Sequence, residues 1–216
     1  MSDLELNYFY ILEWLDDVID IREQFPLLDV KKTFEIANEK GIKHPINSVD
    51  KTLNVFTTDF MITKKIGNSE ILIARTVKYS KDLNNKRTIE LFEIEKEYWE
   101  KQGINWAIVT EKDIPKNLVE NIKWIHKFND LDLLKKNINL SDEEIDVILT
   151  NIREELHLKK NQDERLLELI TSLDVKYGLE RGVSLHLFKY GIFNKLINVD
   201  MNKELKFNPY IKDILV

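Results

Sequence analysis

The stretch from Asn54 to Lys78 constrains this chain more than any other part of it. Residues 54–64 (NVFTTDFMITK) alternate, with Phe56, Phe60 and Ile62 on one face and Val55, Thr57, Asp59 and Met61 on the other. That period predicts a strand. Residues 69–78 (SEILIARTVK) are β-rich and almost continuously apolar, as expected of a strand buried on both faces. Gly67-Asn68 between them fits a two-residue hairpin turn. Such a turn sets the register, placing Asp59 opposite Thr76, with Lys78 two residues along on the face of Thr76. A carboxylate, a hydroxyl and an ammonium group then project from one side of the hairpin.

Helical periodicity surrounds it. Residues 2–17 carry Leu4, Tyr8, Ile11, Leu12 and Leu15 at helical spacing, with Ser2 as cap and Glu5 three residues on, a capping-box pattern. Pro26 interrupts. A second helix is expected over 29–40, with Phe34, Ile36 and Ala37 inward and Gly41 as its stop. Residues 86–102 form a strong helix pattern with Ile89, Phe92 and Tyr98 near one stripe, and 105–110 (NWAIVT) a short strand. Pro115 opens a helix to about residue 127, with Leu118, Ile122 and Ile125 inward. The order α-α-β-β-α-β-α predicts an α/β layer, helices packed on a mixed sheet.

Beyond residue 128 the pattern is mainly helical: 131–136, a helix capped at Ser141, another over 161–177, and one over 182–197 broken near Gly191. We therefore expect a domain over 1–128 and a smaller helical domain over 129–216. A winged-helix-like arrangement is one option for the second. Its last part, residues 171–216, has seven bases against five acids, so its expected role is protein contact rather than a strong DNA footprint.

Composition removes several classes of chemistry. With no cysteine, disulfides, thiolate zinc sites and Cys nucleophiles are excluded, and a cytoplasmic location is expected. The acidic start MSDLELNYFY lacks the basic region of a signal peptide, and no apolar run approaches the roughly 18 residues of a membrane span. His126, His157 and His186 lack ligand spacing, which argues against zinc. His44 reads as a hydrogen-bonded loop residue, and Trp14, Trp99, Trp106 and Trp124 as core. The net charge of -6 is unevenly spread: residues 1–23 hold seven acids and one base, residues 61–89 seven bases and two acids. The basic hairpin could hold phosphates, or be a solvated charged surface.

Two acids and a lysine have a chemical meaning together. Mg²⁺ takes oxygen ligands, usually one or two carboxylates completed by water and substrate phosphate. Phosphodiester hydrolysis needs a polarised phosphorus and an activated water, which such an ion supplies. Glu5, Asp59 and Lys78 follow the logic of the PD-(D/E)xK nuclease fold: a helix acid, an aspartate on one hairpin strand, then Glu/Gln-x-Lys on the next. The competing reading is a surface pair between Asp59 and Lys78, with Glu5 serving only as a helix cap. Arg22 and Gln24 of IREQFP either contact phosphate or hold the turn onto the sheet. Glu90 and Glu93 read as a solvated helix face, with an approach to the metal site as the alternative.

The blocks SDLELNYFYILEW and DVIDIREQFPLL (within 2–28), GIKHP (41–45), TTDF (57–60), TVK (76–78), RTIELFEIEKEYW (87–99), INWAIVT (104–110) and NIKWIH (121–126) follow one another in an order that resembles the TnsA-type transposon endonucleases. The resemblance spans residues 2 to about 127. It implies a restriction-endonuclease-like catalytic domain in which Glu5 is the helix acid, Asp59 the metal-bridging aspartate and Lys78 the active-site lysine. Val77 would offer its backbone carbonyl to Mg²⁺, for which Mn²⁺ would substitute. Thr76 stands where the motif has Glu or Gln, so that one metal position is weaker or filled through water.

The resemblance further implies hydrolysis at the 5′ ends of a transposon in double-stranded DNA. A DDE-type transposase would cut and join the 3′ ends, and an AAA+ ATPase regulator would dock on the C-terminal domain. Two alternatives accompany this reading. One is a catalytically weakened subunit, degraded at Thr76, that acts mainly as an assembly factor linking transposase, DNA and regulator. The other is a restriction-like nuclease acting alone.

Overall fold

A computed structural model describes residues 1–129, 135 and 140–215 of the chain. These divide into two compact units, Met1–Ile114 and Pro115–Val216. Among the described residues no helix is long and apolar enough to cross a membrane.

In the first unit the elements run α1 (Asp3–Trp14), β1 (Val18–Pro26), α2 (Val30–Glu39), β2 (Thr57–Ile66), β3 (Ser69–Val77), a 3₁₀ turn (Ser80–Asn84), α3 (Lys86–Glu100) and β4 (Asn105–Val109). The strands form one mixed sheet in the order β1-β2-β3-β4. Pairings β1/β2 and β2/β3 are antiparallel, and β3/β4 is parallel across the α3 connection. The expected α/β architecture with a mixed sheet flanked by helices is therefore observed.

The hairpin register is the one the turn predicts. Phe60 faces Arg75, Met61 faces Ala74 and Ile66 faces Ser69. Gly67 takes φ of 60°, a conformation that glycine supplies without steric cost at the first position of a tight hairpin turn. Within β2 the consecutive residues Phe60, Met61 and Ile62 are all buried. The Phe60 ring meets Tyr8 of α1 edge-on, with centroids 5.5 Å apart. Met61 joins Ala74, Ile36 and Ala37 of α2, Ile94, Tyr98 and Trp99 of α3, and Leu27 in one buried cluster. Helices cover the sheet on both faces, so an unbroken apolar run replaces simple alternation.

Three expectations change. First, residues 18–26 (VIDIREQFP) form β1, an edge strand absent from the expected order, and α1 ends at Trp14 rather than residue 17. Its buried and exposed residues do not alternate, because the register slips between Val18 and Asp20 and Gln24 adopts φ of 46°. Second, β3 is not buried along its whole length. Ile71 and Leu72 are exposed, since β4 pairs only with Ile73–Val77 and leaves the hairpin tip without a neighbour. Third, Phe34 of α2 and Ile89 of α3 are exposed, and Thr33 and Ile94 take the inward positions instead.

The second unit contains, among the described residues, α4 (Lys116–His126), α5 (Asp142–Leu158), α6 (Leu166–Lys176), α7 (Val183–Phe193) and α8 (Ile211–Ile214). The helix expected over 131–136 lies outside the described residues, Lys135 excepted. Helix α7 (VSLHLFKYGIF) is apolar on nearly all sides, and α4, α5 and α6 all pack on it. It runs through Gly191 without a break. A Cβ there would sit 2.6 Å from Ile197 Cδ1, so the glycine provides space rather than a helix stop.

Asn121 of α4 donates to the carbonyls of Met201 (2.9 Å) and Lys203 (2.5 Å) and accepts from the Leu205 amide. These bonds tie α4 to the rest of this unit, which begins at Pro115. No strand is present in this unit among the described residues; Arg165 and Tyr210 form an isolated bridge.

Candidate active site

Asp59 lies near the start of β2 and is held at both carboxylate oxygens. Oδ2 accepts from the backbone N–H of Val77 at 2.8 Å, and Oδ1 accepts from Gln24 Nε2 at 3.0 Å. Its pKa is raised above the usual aspartate value, foremost by burial. The Val77 bond lowers it, the Glu5 charge raises it, and Gln24 and Lys78 lower it. Asp59 is bonded to Val77, the residue before Lys78, and Tyr8 of α1 packs edge-on against Phe60, the residue after Asp59, so the elements that carry Glu5, Asp59 and Lys78 adjoin at this end of the sheet.

Local chemistry explains each position. Ser2 and Glu5 close the expected capping box, with Ser2 N–H and Oγ–H donating to the Glu5 carboxylate and Ser2 Oγ accepting from the Glu5 N–H. The box starts α1 and holds the acid in its first turn. Lys78 follows the last residue of β3, and its N–H bonds the Val109 carbonyl at 2.9 Å, which anchors the lysine to the end of β4. The bond to Asp59 brings the Val77 backbone into the same corner.

Thr76 does not join this group. It is 5% exposed, and its hydroxyl donates to Glu95 Oε1 of α3 at 2.5 Å. The same oxygen accepts from Thr58 Oγ (2.7 Å) and Trp106 Nε1 (3.0 Å), while Trp99 Nε1 donates to Thr58 Oγ at 2.6 Å. Burial raises the Glu95 pKa above the ordinary glutamate value, the three donors lower it, and the Asp59 charge adds to the rise. Glu95 is the residue that sequence reasoning missed. Helical position alone marks it as one acid among several in EIEKE; only its burial at 3% exposure separates it from them.

The remaining candidates have structural partners. Glu90 pairs with Lys86 and Arg87, and Glu93 with Lys40, on the solvated face. Arg22 pairs with Asp20 at 2.9 Å, donates to Thr63 and stacks over Phe25. His44 is a bonded loop residue, with Nε2 3.0 Å from Thr33 Oγ and Nδ1 2.8 Å from the Pro45 carbonyl. Trp99 is buried in the core, whereas Trp14, Trp106 and Trp124 are only half-buried. Lys64 of the basic hairpin pairs with Asp17 at 2.7 Å, and Arg75 is held by the carbonyls of Ala74 and Asn105, which leave its charge uncompensated.

Among the described residues no three His, Cys, Asp or Glu side chains are grouped to enclose a metal ion. The donor set does fit a sparsely held Mg²⁺, which needs only one or two protein carboxylates and takes its other ligands from water and phosphate. Glu5 and Asp59 would supply those carboxylates, and both Asp59 oxygens are already oriented by Val77 and Gln24.

Comparison with known proteins gives three matches. Residues 15–111 match the model for the N-terminal domain of TnsA-like endonucleases, and residues 113–201 match that for the TnsA endonuclease C-terminal domain. The two matches meet where the compact units divide. The transposon Tn7 transposition protein TnsA of Escherichia coli is 36% identical over 211 residues, covering 96% of this chain and 71% of that protein.

Proposed function

The chain belongs to the TnsA-like endonuclease family, a family of transposition endonucleases, and we propose that it hydrolyses DNA at the 5′ ends of a transposon with a divalent metal ion. Glu5, Asp59 and the Val77 carbonyl would hold Mg²⁺ or Mn²⁺, which polarises the phosphodiester and activates water when bound. Lys78 orients the attacking water and offsets charge that develops on the phosphate. Glu95 accepts the Thr76 hydroxyl at the position where the motif carries Glu or Gln, and through Thr58 and Thr76 it ties both hairpin strands to α3. The partners in this reading are double-stranded transposon ends, a DDE-type transposase for the 3′ strand, and an AAA+ regulator at the C-terminal unit.

The observation that carries the proposal is the 2.8 Å bond from the Val77 N–H to Asp59 Oδ2, which holds the acid at the end of β3 where Lys78 follows, while Tyr8 of α1 packs on Phe60 and brings the helix of Glu5 to the same strand. Nicking of supercoiled plasmid bearing transposon ends, with the partner transposase and Mg²⁺ or Mn²⁺, tests it. Asp59→Ala is expected to abolish nicking; wild-type nicking by that variant would exclude the site. Mn²⁺ titration by calorimetry separates the catalytic reading from the assembly-factor reading, which expects partner binding without metal binding.

A further inference from the structure

Gln24 is a non-glycine residue in the left-handed region, at φ of 46°, on the edge strand β1. Such a conformation disfavours a side chain with a Cβ and persists only where the surroundings over-determine it. Here the surroundings are the site itself. The β1/β2 ladder pairs Glu23 with Phe60 and Phe25 with Thr58, which sets Gln24 beside Asp59. Gln24 Nε2 donates to Asp59 Oδ1 at 3.0 Å, and Gln24 Oε1 accepts from Thr57 Oγ at 3.2 Å.

These two bonds form a directed chain. An ionised Asp59 carboxylate only accepts, so it takes the NH₂ end of the amide and leaves the oxygen end to the Thr57 hydroxyl, which is free to donate. With Val77 N–H on Oδ2, Asp59 is clamped from both sides, and its carboxylate plane is set before any ligand arrives. A carboxylate held by one donor would rotate about its terminal bond; one held by two does not. Ligating carboxylates depend on such outer hydrogen bonds for orientation.

We propose that Gln24 is a positioning residue for the metal, fixing the Asp59 carboxylate through a Thr57–Gln24–Asp59 chain, with backbone strain at residue 24 as its structural cost. The proposal rests on the metal-dependent reading above. Gln24→Gly removes the amide while relaxing the backbone, so the two roles of the residue move in opposite directions. Mn²⁺ affinity by calorimetry is expected to fall about tenfold, while the thermal midpoint of the metal-free protein stays level or rises. Thr57→Val, which leaves the backbone of residue 24 untouched, is expected to weaken Mn²⁺ in the same direction by a smaller factor.

Wild-type Mn²⁺ affinity in Gln24→Gly would overturn the positioning role alone. Loss of affinity with a matching fall in thermal midpoint would also overturn it, because Gln24 would then be a structural residue. Absence of Mn²⁺ binding by the wild-type protein, or unchanged binding by Asp59→Asn, would overturn the metal reading and the proposal with it.

Discussion

Thr76 of the hairpin and Glu95 of α3 share a hydrogen bond of 2.5 Å, which joins the inward side of the β2/β3 strand pair to a glutamate nineteen residues further along the chain. Thr58, Trp99 and Trp106 complete the net around that carboxylate. Three donors converge on Glu95 Oε1, so the strand ends carrying Asp59 and Lys78 are held at a common depth. The short Thr76 side chain leaves room for Glu95 to reach them.

Replacement of Glu95 separates charge from packing. Glu95→Ala leaves the Thr58, Thr76 and Trp106 donors unpaired, each costing about 1–3 kcal/mol. A loss of roughly 3 kcal/mol is expected in denaturant unfolding, together with loss of nicking. Glu95→Gln keeps an accepting oxygen, and its thermal midpoint at neutral pH is expected not to fall. A large destabilisation by Gln would show that the negative charge, rather than the oxygen, holds the net.

Asp59→Asn sets an NH₂ against one of the two donors on Asp59, a cost independent of pH, but in the metal-free protein it is expected to gain on the wild type as pH rises from acid to neutral. The folded pKa of Asp59 is raised above 3.8, so its contribution to stability is present below that value and is lost as pH rises through the folded pKa. The variant lacks that loss. Thermal unfolding across a pH series is therefore expected to show its advantage opening from acid toward neutral pH. A constant difference at all pH values would contradict the assignment.

Asp174 of α6 bonds the backbone N–H groups of Gly182 and Ser184, both at 2.7 Å, at the start of α7. It is 4% exposed and caps the central helix of the second unit from a neighbouring element. Asp174→Ala leaves buried donors unpaired at a helix N-terminus, and a loss of about 1–3 kcal/mol is expected. Chemical denaturation with a helical signal checks it.

Gly191→Ala tests packing against propensity. Alanine is the better helix former by about 1 kcal/mol. Its Cβ, however, would meet Ile197 Cδ1 at 2.6 Å and Leu149 Cδ2 at 3.3 Å. Overpacking of this kind costs about 1–3 kcal/mol, so a net fall in thermal midpoint is expected. A rise would show that Ile197 repacks freely.

What was legible from the sequence was local. The Gly67-Asn68 turn fixes how neighbouring strands pair, so the β2/β3 register from Phe60–Arg75 to Ile66–Ser69 could be read directly, whereas the expected grouping of Thr76 with Asp59 did not form, since Thr76 turns inward to Glu95. The caps at Ser2 and Ser141 lie three residues from their partners, and both capping boxes form. Strand β1 was not legible, because an edge strand with charged Asp20, Arg22 and Glu23 and a distorted residue 24 has no clean period. Nor were Glu95 and Gln24. Their importance arises from partners 11 to 37 and 33 to 35 residues away, in contacts that exist only once the sheet and α3 have packed. Sequence by itself determined which side chains could do the chemistry, since residue type and short-range geometry travel with the chain. The tertiary structure alone decided which of them are buried, clamped and brought together, because burial and long-range hydrogen bonding depend on what packs around each group.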